Sequence, residues 1–156
     1  MTGKRRVVYD CNTLLQGLAS PKGAAGACVQ LVLDGKAELF FSAAGIAELR
    51  DVAMRPRVMR KLQLAQERIE DFIGTIESAG ILVGTVSELF VYERDPDDAH
   101  YVNLALAAKA ELIVSRDLDL LDLMDMSRAE GREFRRRFPN LKILTPPAFL
   151  AEVGVE

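Results

Sequence analysis

The sequence predicts an α/β fold, a three-layer α/β/α sandwich around a central, mainly parallel sheet, in one domain spanning residues 1–156. Three observations predict it. Short apolar runs alternate with longer segments of helical period, the pattern of parallel strands joined by helical crossovers. The first of these runs holds the β-branched pair Val7 and Val8 and reads as a buried strand. The segment after Asp95 is apolar on most of its faces through Tyr101, Val102, Leu104, Ala105 and Ala108, as a helix pressed against a sheet is.

Taken in order, Arg5 to Tyr9 is the first strand, and it ends on the polar cluster Asp10, Asn12 and Thr13. Leu14, Leu15 and Leu18 keep a helical period until Ser20, Pro21 and Gly23 turn the chain. Ala25, Cys28, Val29 and Val32 line a second helix, with Gly35 as its left-handed stop. Glu38 to Phe41 is the next strand. Ser42 then caps a helix that turns Ile46, Leu49, Val52 and Ala53 inward and carries Glu48 in its second turn. Pro56 breaks that helix, within a basic stretch from Arg50 to Lys61. Ile69, Phe72, Ile73 and Ile76 mark a helix from Ala65 to Ala79, stopped by Gly80, and Ile81 to Val83 is a third strand. Asp95 and Pro96 open the apolar helix, and Leu112 to Ser115 is a strand closing on Arg116, Asp117, Leu118 and Asp119. A Leu-rich turn to Leu123 leads into the arginine-rich segment from Asp125 to Arg137, expected to be a basic flap or loop. Leu141 to Leu144 is the last strand, and Thr145 with Pro146 opens a final helix through Phe149 and Leu150.

In such a sheet, ligands bind outside the carboxyl ends of the strands. That rule collects Asp10, the Asp95 to Asp98 opening, Asp117 and Asp119 on one edge, and Glu48 can join them from a helix that starts there. Crowded like charges are unfavourable without a cation among them, and a hard divalent ion held by oxygen is the economical candidate. Each acid also has a plainer role open to it. Asp95 before Pro96 suits a helix cap, while Asp97 and Asp98 suit the dipole of the first turn. Asp10 suits a turn after a strand, one of Asp117 and Asp119 suits the cap of the turn that follows, and Glu48 alone suits a solvated helix face. Their joint placement carries the metal reading.

His100 reads as a packed or hydrogen-bonded helix residue, so Cys11 has no other His to act as its base. An Asp10 phosphoryl acceptor in the manner of haloacid-dehalogenase relatives is a further alternative, yet those enzymes have a second Asp two residues on, where this chain has Asn12. Two cysteines and one histidine leave no disulfide framework and no zinc motif, and a reducing, cytoplasmic compartment is expected. The basic MTGKRR start runs straight into Val7 and Val8 and has no apolar stretch long enough for a signal peptide or membrane span. The net charge of −3 is not that of an indiscriminate nucleic-acid coat. With five of the 23 acids committed to a metal, however, the 20 Lys and Arg outnumber the rest.

VVYDCNTLL at Val7 to Leu15, SAAGIAELRDV at Ser42 to Val52, RDPDDAHYVNLALAAKAELIVSRDLDLL at Arg94 to Leu121 and ILTPPAFL at Ile143 to Leu150 follow one another over nearly the whole chain. In that order they resemble the PIN-domain nucleases, and within them the toxins of bacterial toxin–antitoxin pairs. The resemblance implies a metal-dependent ribonuclease with Asp10, Glu48, Asp98 and Asp117 catalytic. It further implies one or two Mg²⁺ or Mn²⁺ ions on Asp10, Asp98, Asp117 and Asp119, supported by Asn12, Asp97 and Ser115, with Asp97 the alternative to Asp98. RNA is the substrate implied, and Arg55, Arg57, Arg60, Arg116, Arg135 and Arg136 are the candidates to grip its backbone. A cognate antitoxin protein and a homodimer are the partners implied, with no membrane. A catalytically silent PIN-like module that binds RNA or protein is the alternative. Cys11 stands where the family commonly has Thr, and the segment from Asp125 to Arg137 exceeds what a minimal PIN domain needs.

Overall fold

A computed structural model describes residues 4–154; part of the basic amino-terminal start, residues 1–3, lies outside them, as do residues 155–156. The strands β1 (Arg5–Tyr9), β2 (Ala37–Phe41), β3 (Ile81–Leu82), β4 (Leu112–Val114) and β5 (Lys142–Leu144) form an all-parallel sheet in the order β3-β2-β1-β4-β5. Chain order reverses at β1. Tyr9 stands in register with Val114, so β1 and β4 end level, and the Asp10 N–H extends the ladder to the Val114 carbonyl at 3.3 Å. The residues that follow these two strands therefore meet at the switch point of the sheet, where ligands of such folds bind.

The helices are α1 (Cys11–Ala19), α2 (Ala24–Leu33), α3 (Ala43–Ala53), α4 (Pro56–Leu62), α5 (Gln66–Ala79), α6 (Pro96–Ala108), α7 (Leu118–Leu121), α8 (Ala129–Arg137) and α9 (Pro146–Glu152), with a 3₁₀ turn at Asp122–Met124. Strand residues alternate between two cores. Val7, Tyr9, Leu39, Phe41, Leu112 and Val114 face the layer of α1, α2, α3, α5 and α9. Val8, Phe40, Ile113 and Ile143 face the layer of α6, α7 and α8. Burial of both sheet faces is what makes this a three-layer α/β/α sandwich.

Local chemistry sets the element ends. Ser42 accepts from the Gly45 N–H at 3.0 Å, Asp95 from the Asp98 N–H at 3.2 Å and Thr145 from the Ala148 N–H at 3.3 Å, each filling one of the donors a helix start leaves free. Gly35, just past α2, has φ +73°, a conformation that strains any side chain.

Two expectations need correction and one, the break at Pro56, is extended. β3 stops at Leu82, although the Val83 N–H still donates to the Phe41 carbonyl at 2.8 Å. Pro56 ends α3 only by opening α4, where its missing N–H costs nothing. The arginine-rich segment is no flap: α8 buries Phe134 to 1% exposure, 5.3 Å from Phe90 and 5.2 Å from Phe138 between ring centres. Gly131 on that helix comes so near the preceding turn that a Cβ would stand 2.1 Å from the Asp125 carbonyl oxygen. Among the described residues no helix is long and apolar enough to cross a membrane.

Candidate functional site

Asp10 follows β1 and is only 4% exposed. Its Oδ1 accepts the Thr13 N–H at 2.9 Å, which caps α1, and its Oδ2 accepts the Ser115 hydroxyl at 2.5 Å. Ser115 follows β4 and is fully buried; its Oγ in turn accepts the Asp117 N–H at 2.9 Å. One hydroxyl thus joins the ends of two strands and fixes the backbone of a second acid. Burial pushes the Asp10 carboxyl above the usual carboxylate range, the Ser115 and Thr13 bonds oppose it, and the nearby Asp117 charge adds to the rise.

Beside it, Asp95, Asp98, Asp117 and Asp119 each bring one carboxylate oxygen within 4.8 Å of the others. Helix starts produce this crowding: Asp95 caps α6, Asp98 lies one turn on, Asp117 caps α7 and Asp119 sits in its first turn. Asp98 is 6% exposed, and its Oδ2 is buried with no hydrogen-bond partner. Its pKa is pushed up to about 9, first by burial and then by Asp117 and Asp95, so at neutral pH the crowd is relieved by a proton. A buried carboxylate oxygen without a partner, inside a group of four acids, fits a hard divalent cation, which takes oxygen ligands and removes the need for that proton. Asp119 already has a cation beside it. Arg94 places Nε 2.5 Å from Asp119 Oδ1 and Nη2 2.6 Å from Asp122 Oδ2, and the Tyr92 hydroxyl donates to the Asp119 carbonyl at 2.8 Å.

Glu48, in the second turn of α3, is half-buried and accepts a hydrogen bond from the Tyr101 hydroxyl. It stands near Cys11, whose thiol is pushed up to about 12 by burial, Glu48 and Asp10 against the opposing charge of Arg55. A thiol so held is protonated and a poor nucleophile. His100 is half-buried and hydrogen-bonded through Nε2 to Ser42 Oγ at 2.8 Å.

Asp97 is exposed and outside the four-acid group, which contains Asp98 instead. Neither Asp10 nor Glu48 belongs to that group, although Ser115 links Asp10 to the Asp117 backbone. Asn12 and Arg116, both exposed, line a hollow of about 420 Å³ with Gln16, Ser20 and the start of α2. Arg55, Arg57 and Arg60 are exposed at and along α4, Arg55 pairing with Asp51 at 3.0 Å. Arg135 and Arg136 are exposed in the last turn of α8, Arg136 pairing with Glu133.

The motifs did not point to Arg94 or Tyr101, and they favoured helix capping for Asp95 within the acidic edge. Asp95 caps α6 and also lies in the four-acid group, and the signal was available: Asp95 and Asp98 are three apart, on one face of one turn.

The model of a family described as PIN domain matches residues 6–119, a span that takes in Asp10, Glu48 and all four crowded acids. The chain is also similar to an uncharacterized protein of Methanocaldococcus jannaschii, 28% identical over 149 residues that cover 96% of this chain and 92% of that protein.

Proposed function

The chain belongs to the PIN domain family, whose members are generally nucleases, and on that premise we propose that it is a metal-dependent endoribonuclease hydrolysing RNA phosphodiester bonds. The observation that carries the reading is the unpartnered, buried Oδ2 of Asp98 within the four-acid group. Mg²⁺ or Mn²⁺ is the class of ion these oxygens suit. Asp98 and Asp117 hold it, with Asp95 and Asp119 beside them and Asp10 fixed to the same rim through Ser115. Bound there, the ion supplies positive charge that eases the ionisation of water and offsets charge building on the phosphate.

The remaining roles belong to the chain itself. To hold the ion, Asp98 would release its proton to solvent. Glu48, held as an acceptor by the Tyr101 hydroxyl, would turn its carboxylate toward the same ion. Arg116, one residue from Ser115 and Asp117, grips the RNA backbone from the neighbouring hollow with Asn12. No side chain serves as nucleophile, and the protonated Cys11 thiol agrees with that. Arg55, Arg57, Arg60, Arg135 and Arg136 are more distant phosphate contacts. The motifs further support a toxin held in check by a cognate antitoxin, and a homodimer; a small gene beside this one encoding a partner, and light scattering, test these two points.

Asp10→Asn tests the site. Purified wild-type protein should cleave single-stranded RNA only with Mg²⁺ or Mn²⁺, and the variant should be at least about a hundredfold slower, since even outer partners of a metal cost 10- to 100-fold. Undiminished, metal-dependent cleavage by Asp10→Asn would show that this carboxylate is not part of the machinery.

A further inference from the structure

Tyr101 lies one turn after Asp98 on α6 and is outside the four-acid group, yet three elements meet at its hydroxyl. The Oη accepts the N–H of Cys11 at 3.2 Å, in the first turn of α1 directly after Asp10. It donates its own proton to Oε1 of Glu48 on α3. The ring is 6% exposed and packs edge-on to His100 at 5.7 Å between centres.

A phenol has one proton to give and lone pairs to receive. With the Cys11 N–H on one lone pair, the proton is directed to Glu48, and Glu48 is fixed as the acceptor. Glu48 makes no ion pair among the described residues, so the Tyr101 contact is what restrains a long, half-buried side chain that otherwise costs rotamer entropy to hold in place. The hydroxyl ties that carboxylate to the backbone beside Asp10, across the gap between α3 and β1.

We propose that Tyr101 is a positioning residue, whose hydroxyl clamps Glu48 against the start of α1 so that its carboxylate joins the aspartates in holding a divalent cation. The proposal rests on the metal-dependent reading above. It acts as partners outside a metal's own ligands do, by orienting a ligand.

Tyr101→Phe keeps the ring and removes the clamp. Mn²⁺ affinity is measured by titration calorimetry without RNA, on the wild type, Tyr101→Phe, Glu48→Gln and the double variant, with the melting temperature of each as a check on folding. Each single variant should bind Mn²⁺ about tenfold more weakly, and the double variant no more weakly than Glu48→Gln alone. In RNA cleavage Tyr101→Phe should lower kcat with KM for RNA unchanged. Wild-type Mn²⁺ affinity in Tyr101→Phe, or losses that multiply in the double variant, would overturn the proposal. Should Tyr101→Phe not fold, Glu48→Asp, too short to reach the hydroxyl, carries the test, and wild-type affinity there overturns it equally. A wild-type protein that binds Mn²⁺ but cuts no RNA overturns the nuclease reading and leaves the clamp to be judged on affinity; one that binds no Mn²⁺ overturns both.

Discussion

The two halves of the acidic rim are built on opposite plans. Around Asp10 and Glu48, protein donors already hold the carboxylates: the Thr13 N–H, the Ser115 hydroxyl and the Tyr101 hydroxyl. Around Asp98, four acids crowd together, one buried oxygen has no partner, and a proton and the Arg94 guanidinium supply the relief. The first half is preorganised and needs nothing further. The second needs its charge compensated, by a proton as here or by a cation that these oxygens could hold. Fixed geometry on one side and crowded charge on the other is an arrangement suited to a hard ion.

The largest test of that contrast is Asp98→Asn. It replaces a protonated carboxyl with a neutral amide of the same shape, so the metal-free protein should melt no lower than the wild type at neutral pH, while metal-dependent cleavage falls at least about a hundredfold. A variant that loses both stability and cleavage would mean that Asp98 is a structural acid.

Next in size is the response to metal and pH. With Mg²⁺ at a hundredfold excess over its dissociation constant, the wild type should gain ~2.7 kcal/mol of stability, read as a rise in Tm, and Asp98→Asn should gain little. The Asp98 carboxyl sits at about 9 in the folded protein against an ordinary 3.8, so the folded state keeps a proton that the unfolded chain releases. Its stabilising contribution is fully present below 3.8 and is lost as pH rises through 9. The gap between Tm with and without Mg²⁺ should therefore widen from about pH 6 to about pH 8.5. A gap that narrows with pH would break the link between the proton and the ion.

The preorganised half responds in stability instead. Ser115→Ala leaves a buried Asp10 oxygen and the Asp117 N–H without a partner, and should cost about 2 kcal/mol in urea denaturation. Smaller still are the arginines. Arg116→Ala should reduce the salt dependence of RNA binding by about 0.7 in log–log slope, the value of one contact to single-stranded nucleic acid. Arg136→Ala, which breaks only an exposed pair with Glu133, should change stability by under about 1 kcal/mol.

Much of this was legible in the chain because its signals are local. The Val7–Val8 run, the Ser42, Asp95 and Thr145 caps and the Gly35 stop depend on neighbours within four residues, and each lies where the sequence places it. The placing of acids at the strand ends followed from topology, and of these Asp95, Asp98, Asp117 and Asp119 come together while Asp10 and Glu48 stay outside their group. What stayed hidden depends on distant partners or on sparse patterns. Tyr101 reads as one more core aromatic until its bond to Glu48, 53 residues away, is seen. Arg94 gives no hint in sequence that its charge is spent on Asp119 and Asp122. In α8, Gly131 and Phe134 are the only buried positions among nine, too few to reveal a period beneath six charged neighbours and their arginine-rich appearance.

The reversal of strand order at β1 also bears on how the protein is made. β1 leaves the ribosome first, yet its partner β4 comes more than a hundred residues later, as the Val7–Leu112 register records. Contacts of such sequence separation form late, after the cost of closing the intervening loop has been met. Asp10 therefore spends most of translation without Ser115 to hold it, and apart from Asp98 and Asp117. A growing chain thus carries the acids but no assembled rim until the sheet closes.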